Sequence, residues 1–158
     1  MSKYDHIKEP IIRKALEDYK DNIDEKKPDE LSLSTYRVDK HWGYEIWLEM
    51  NEYFTLKLIH FKKGNKCSLQ LHEYKIESIY VIEGEAEVFL EDKDGNWNSK
   101  VYGPGSGWSV PLNRRHRVLA KTDFTIIEAQ SSHLDDIVRF EDDLNRTSGK
   151  IEDEHRKN

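Results

Sequence analysis

From Tyr36 to Gln130 the chain is a succession of short runs rich in Ile, Val, Tyr, Phe and Trp, with no helical period in any of them. The runs cover 44–50, 53–61, 66–72, 79–82, 86–90, 97–102, 108–110, 115–120 and 124–129. Many short strands divided by turn signals predict an all-β sandwich or barrel. Asp92-Lys93-Asp94-Gly95 reads as a hairpin turn in which Gly95 takes a positive φ. Tyr102-Gly103-Pro104-Gly105 reads as a second tight turn. No internal repeat has the size of a solenoid or propeller unit.

The two ends have a different pattern. Ile7, Ile11, Ile12, Leu16 and Tyr19 recur at three- and four-residue steps, which predicts an amphipathic helix with Pro10 in its first turn. The charged stretch 21–30, with Pro28 inside it, reads as a linker. At 158 residues the chain has room for one domain with a core of its own. The expected division is an N-terminal helix and linker over 1–35, a β domain over 36–146 and a polar tail over 147–158.

Charge narrows the class of partner. With 25 Lys and Arg against 31 Asp and Glu, the net charge is −6, and nucleic acid or anionic membrane is not the expected partner because both require a basic face. Cys67 is the single cysteine, so no internal disulfide can form. No apolar run is long enough to span a bilayer and no secretory signal is apparent, so a cytoplasmic location is expected.

The chemistry concentrates in G-N-K-C-S-L-Q-L-H-E-Y-K-I-E-S-I-Y-V-I-E-G, from Gly64 to Gly84. A strand alternates faces at every residue, so Gln70 and His72 point the same way, and Glu77 follows across a short turn. A second segment from Gly105, G-S-G-W-S-V-P-L-N-R-R-H, offers His116 as a fourth candidate ligand. Two imidazoles, a carboxylate and an amide oxygen suit a divalent transition ion. The other histidines, such as His41, His60 and His133, lack ligand spacing. By the same alternation Leu69 and Leu71 face away from the ligands and form an apolar outer face, which predicts a homodimer or cover by the N-terminal helix.

These two segments resemble cupin motif 1, G-x5-H-x-H-x4-E-x6-G with Gln70 at the first His, and cupin motif 2, G-x5-P-x-G-x2-H with Asn113 at the last Gly. Ser68-Leu69-Gln70-Leu71-His72, Trp42-Gly43-Tyr44-Glu45 and the terminal segment from Asp135 to Asp143 are similar to the cupin-type mannose-6-phosphate isomerases, including the isomerase domain of mannose-1-phosphate guanylyltransferases. That family carries histidines where this chain has Glu73, Tyr74 and Ser78.

The resemblance implies a cupin jelly-roll barrel holding one divalent ion at Gln70, His72, Glu77 and His116. Zinc leads, with manganese, iron, cobalt or nickel as alternatives. It also implies aldose–ketose isomerisation of a phosphorylated sugar. Candidates for moving the proton are Glu73, Tyr74 and Lys66, and Arg139 is the candidate clamp for the phosphate. Two other classes remain: an Fe(II) dioxygenase, since His72, Glu77 and His116 alone make a two-His-one-carboxylate set, and a sugar-binding cupin without catalysis.

Overall fold

A computed structural model describes residues 37–141, 144, 146 and 148–151. The N-terminal helix expected over 1–35 lies outside the described residues. Among the described residues twelve strands form two six-stranded antiparallel sheets. The first sheet has the order β1 (Arg37–Lys40), β2 (Gly43–Met50), β3 (Thr55–Phe61), β10 (Phe124–Gln130), β5 (Glu77–Glu83) and β8 (Gly107–Val110). The second runs β12 (Gly149–Ile151), β11 (Ile137–Glu141), β4 (Leu69–Leu71), β9 (His116–Ala120), β6 (Ala86–Glu91) and β7 (Trp97–Tyr102). The sheets face each other across one interior, the jelly-roll arrangement expected from the resemblance.

Alternation determines what fills that interior. On β3 the side chains of Thr55, Lys57, Ile59 and Phe61 are buried while those between them are half-exposed, and β10 repeats this with Phe124, Ile126, Glu128 and Gln130. Ile59, Phe61, Val81, Phe124 and Ile126 from the first sheet meet Ala86, Val88, Val118 and Ala120 from the second. Trp42 stacks on Phe61 with ring centroids 4.1 Å apart. Gly43 beside it has φ +155°, and a Cβ there would meet the His60 carbonyl oxygen at 1.8 Å. Only glycine admits that approach.

Both expected turns form. Gly95 (φ 84°) links β6 to β7, and the Asp92 carboxylate accepts the backbone N–H groups of Asp94 and Asn96 at 2.9 Å each. Gly105 (φ 81°) lies between β7 and β8. Elsewhere the strand limits move. The run 53–61 enters β3 only at Thr55, because the Asn51 side chain accepts the N–H of Tyr53 at 2.9 Å and of Phe54 at 3.0 Å and closes a turn there.

The run 66–72 pairs regularly only at Leu69–Leu71, with Lys66 making an isolated bridge to Leu119. Alternation fails before β4: Cys67, two residues ahead of the outward-facing Leu69, packs against the core. Burial pushes its thiol up to about 11. Three strands were missed: β1, a short edge strand, β11, and β12, which pairs with β11 inside the segment expected to be a tail. Among the described residues no helix is long and apolar enough to cross a membrane.

Candidate metal centre

His72, Glu77 and His116 converge. Their ligating atoms all lie within 4.8 Å of one another and all three residues are buried. Glu77 opens β5 in the first sheet; His116 opens β9 in the second, and His72 follows directly on β4. The site therefore spans the interior rather than belonging to either sheet.

Both imidazoles are held in one tautomer. His72 Nδ1 donates to the Asp136 carbonyl at 2.5 Å, and His116 Nδ1 donates to the Arg114 carbonyl at 3.0 Å. In a neutral ring so held, Nε2 carries a lone pair. His72 Nε2 is 3.2 Å from Glu77 Oε1, and His116 Nε2 is 3.9 Å from Glu77 Oε2. Two lone pairs thus face a carboxylate. His72 Nε2 is buried and makes no hydrogen bond. Either a proton on Nε2 or a cation between these atoms resolves the conflict, and two imidazoles with a carboxylate are a donor set that fits a divalent ion. Burial, and then the neighbouring His72, push His116 down to about 4, which leaves it neutral at physiological pH. Burial works against ionised Glu77, yet Lys75, His72 and His116 outweigh it and hold the carboxyl well below its ordinary value.

Gln70 pairs with His116 across β4 and β9 and lines the same cavity. Its Oε1 accepts the Ser68 hydroxyl at 2.8 Å, and an amide oxygen has a second lone pair to offer. Asp136 organises the turn after His72: its carboxylate accepts the N–H groups of Glu73, Tyr74 and Lys75 at 3.2, 2.6 and 2.8 Å. On the other side of His72, the Asn113 N–H donates to the His72 carbonyl at 2.7 Å. Asn113 has φ 57°, the left-handed conformation that the glycine of cupin motif 2 would supply, and asparagine tolerates it better than other side chains.

The cavity beside the cluster measures about 90 Å³, several times the roughly 10–15 Å³ that one water needs. Its charged lining includes residues that motif reading missed. Lys75 Nζ is 2.8 Å from Glu77 Oε1. Lys57 Nζ is 3.1 Å from Glu45 Oε2, which also accepts Trp47 Nε1 at 2.9 Å. Burial opposes the Lys75 ammonium, but Glu77, Glu128 and Asp136 outweigh it and raise its pKa. Burial, and next the Glu77 carboxylate, push Glu128 up to about 8. The sequence signal was parity: Lys75 precedes Glu77 by two, and Glu128 shares the inward face of β10 with Phe124 and Ile126.

The expected proton carriers do not reach this cavity. Lys66 lines a groove on the outer face of the second sheet with Leu69, Phe89 and Trp97. Glu73 and Tyr74 sit in the turn that Asp136 holds, and Tyr74 packs 6.0 Å from the His133 ring. Arg139 is buried opposite Gln70 and is not among the cavity-lining residues. Arg115 and Arg117 turn outward as their parity predicts, Arg115 binding Glu91 through Nε and Nη2 at 3.1 and 3.0 Å.

Comparison with known proteins agrees with this construction. Residues 27–142 match the mannose-6-phosphate isomerase C-terminal family. The xanthan biosynthesis protein XanB of Xanthomonas campestris is 33% identical over 85% of this chain and 29% of its own length. The alginate biosynthesis protein AlgA of Pseudomonas putida is 36% identical over 76% of this chain and 24% of its own. The mannose-1-phosphate guanylyltransferase ManC of Salmonella typhimurium is 30% identical over 85% and 28%. The chain thus spans about a quarter of the length of these relatives.

Among solved structures, oxalate decarboxylase from Bacillus subtilis superposes with TM-score 0.62 at 20% identity, over 72% of this chain and 32% of that one. The capsular polysaccharide assembling protein CapF from Staphylococcus aureus gives 0.59 at 14%, over 68% and 34%. Those likenesses concern the cupin fold alone. With the family match over most of its length and a two-sheet barrel that gathers His72, Glu77 and His116, the chain belongs to the mannose-6-phosphate isomerase C-terminal family, as a cupin domain.

Proposed function

We propose that this domain holds one divalent ion at His72, Glu77 and His116, with Gln70 as a fourth ligand, and interconverts an aldose phosphate and a ketose phosphate. The observation that carries the reading is the pair of imidazoles whose Nδ1 atoms are fixed by backbone carbonyls while both Nε2 atoms face one carboxylate. Zinc is the favoured ion for a set of two imidazoles, a carboxylate and an amide oxygen, with manganese, iron, cobalt and nickel as alternatives. When bound there, the ion would supply Lewis-acid stabilisation of negative charge developing on a substrate oxygen.

The protein's own groups supply the rest. Isomerisation moves a proton between C2 and C1, which requires a side chain able both to accept and to return it. Glu128 lines the cavity, and in the metal-free protein burial and the Glu77 carboxylate raise its pKa to about 8. We assign it the shuttle, in place of Lys66, Glu73 and Tyr74. The Lys75 ammonium, fixed against Glu77, contributes positive charge to the same space. The buried walls of Ile59, Val110, Val118 and Ile126 keep bulk water from the reacting carbons.

Metal-loaded protein in deuterated water should convert mannose 6-phosphate to fructose 6-phosphate and incorporate solvent deuterium at the migrating position. Metal bound without exchange into any hexose or pentose phosphate would remove catalysis and leave a sugar-binding cupin. A second reading, an Fe(II) dioxygenase, draws on the His72–Glu77–His116 set itself. Oxygen uptake by iron-loaded protein separates the two.

We also propose a homodimer in the cytoplasm. Support comes from apolar side chains on outer faces: Tyr80 and Ile82 of β5 are 56% and 46% exposed, and Leu69 and Leu71 of β4 are half-buried.

A further inference from the structure

Three buried carboxyls, Glu45, Glu77 and Glu128, line the cavity together with two buried ammonium groups, Lys57 and Lys75. Lys75 is bound to Glu77 at 2.8 Å and Lys57 to Glu45 at 3.1 Å. Glu128 is left over: its carboxyl makes no hydrogen bond or ion pair among the described residues. Which carboxyl is left over depends on Lys57, because strand register offers that lysine two sides to turn to.

Lys57 stands on the interior face of the first sheet between Trp47 of β2, its partner on one side, and Glu128 of β10, its partner on the other. Directly opposed side chains start about 4.5–5.5 Å apart at Cβ, so Glu128 lies within reach of a lysine stem. The ammonium goes the other way. Its Nζ is 3.1 Å from Glu45 Oε2 and 5.0 Å from the centre of the Trp47 ring. Trp47 Nε1 donates to that same Glu45 oxygen at 2.9 Å. The indole thus fixes the carboxylate and also faces the cation that the carboxylate holds. Without Glu45, a buried ammonium would be driven to another carboxyl, and the one opposite it is Glu128.

We infer that Glu45 is a positioning residue: it holds the Lys57 ammonium against β2 and so leaves Glu128 without a counter-ion, able to carry a proton into the reaction. The role rests on the isomerase reading for what that proton does, and not for where the charges stand.

The charges around Glu128 set the direction of the effect. Burial and Glu77 of β5 oppose its ionisation and Glu45 of β2 adds to them, while Lys57 of β3 and Lys75 before β5 favour it. His116 of β9 lines the same cavity and is neutral at physiological pH. Lys40 and Arg146 line it as well, half-exposed, where water screens their charge. Neutralising Glu45 therefore removes one charge that keeps the proton on Glu128 and frees another that expels it.

The test is carbon-13 NMR titration of the Glu128 carboxyl in the full chain after metal removal by chelation, with Glu128→Gln assigning the signal. Wild type should titrate at about 8. In Glu45→Gln the midpoint should fall by about 1–3 units, the shift of a carboxyl given a close cation. Glu45→Asp keeps the charge but withdraws it by one methylene, and should lower the midpoint by less. Glu45→Gln combined with Lys57→Met removes the cation too, and should return the midpoint to the wild-type value or above it.

An unchanged midpoint in Glu45→Gln, or in Glu45→Asp should the first not fold, would overturn the role. So would a midpoint that stays low in the double variant, since Lys57 would then not be the cause, or a wild-type Glu128 already ionised at neutral pH. The two readings fail separately: a lowered midpoint in the variants, with no deuterium exchange by metal-loaded wild type, keeps the charge arrangement and removes the isomerase. Where exchange is measurable, its pH profile should move toward lower pH in Glu45→Gln. A uniform loss of rate at every pH would show a structural role alone and overturn the positioning one.

Discussion

Lys75 Nζ sits 2.8 Å from Glu77 Oε1 with both side chains buried, so the proposed carboxylate ligand is also the counter-ion of an interior ammonium. Glu77→Gln should therefore do two things. Metal content should fall from about one per chain toward zero, and stability should drop by about 3–5 kcal/mol because a buried charge loses its partner. Adding Lys75→Met should restore part of the stability and none of the metal. A double variant no more stable than Glu77→Gln would show that the lysine charge is not the source of the loss.

His72→Ala and His116→Ala should fold and lose the ion. Neither histidine pays for its burial through an ion pair as close as that of Lys75, and the Asp136 and Arg114 carbonyls they leave can be reached by water in the vacated volume. Elemental analysis that finds wild-type stoichiometry in both proteins would disprove the site.

Glu128 gives the domain a pH-dependent stability. Its ordinary value of 4.5 applies to the unfolded chain and about 8 to the folded one. Between those values the folded state holds a proton that the unfolded state has released. The contribution is complete below pH 4.5 and is lost as pH rises through 8. In metal-free protein the melting temperature should fall from pH 5 to pH 9, and Glu128→Gln should flatten that slope. Parallel slopes would mean that Glu128 is ionised in the fold.

Asn113 isolates a backbone effect. At φ 57° an alanine is strained, so Asn113→Ala should cost about 1–2 kcal/mol in denaturant titration, whereas Asn113→Gly should be close to neutral. The same loop N–H is bonded to the His72 carbonyl at 2.7 Å. Metal affinity should therefore weaken in the alanine variant and persist in the glycine one.

The homodimer predicts a light-scattering mass of twice 18.8 kDa at micromolar concentration. Tyr80→Lys with Ile82→Lys should return the mass to that of one chain. A wild-type monomer would refute the dimer and leave the barrel intact.

Strand parity carried the sequence reading a long way. It placed Gln70 inward beside His72, and turn residues placed Gly95 and Gly105 where the structure has them. It also contained Lys75 and Glu128, since each occupies an inward position of its strand or turn. What it lacked was the knowledge of what faces them across the interior, because a buried lysine is plausible only once Glu77 or Glu45 is known to meet it. Nearness along the chain misled in the other direction: Glu73 and Tyr74 adjoin His72 but belong to the turn capped by Asp136.

The bond from His72 Nδ1 to the Asp136 carbonyl joins residues 64 positions apart. Protein synthesis delivers Gln70, His72 and Glu77 first, then His116, and Asp136 after all of them. A nascent chain can thus display every proposed metal ligand before it owns the group that tells His72 which nitrogen to offer. The centre matures only after Asp136 has been made, when β11 docks beside β4 and brings that residue with it. A chain arrested between His116 and Asp136 would keep the full set of ligands and lack the site.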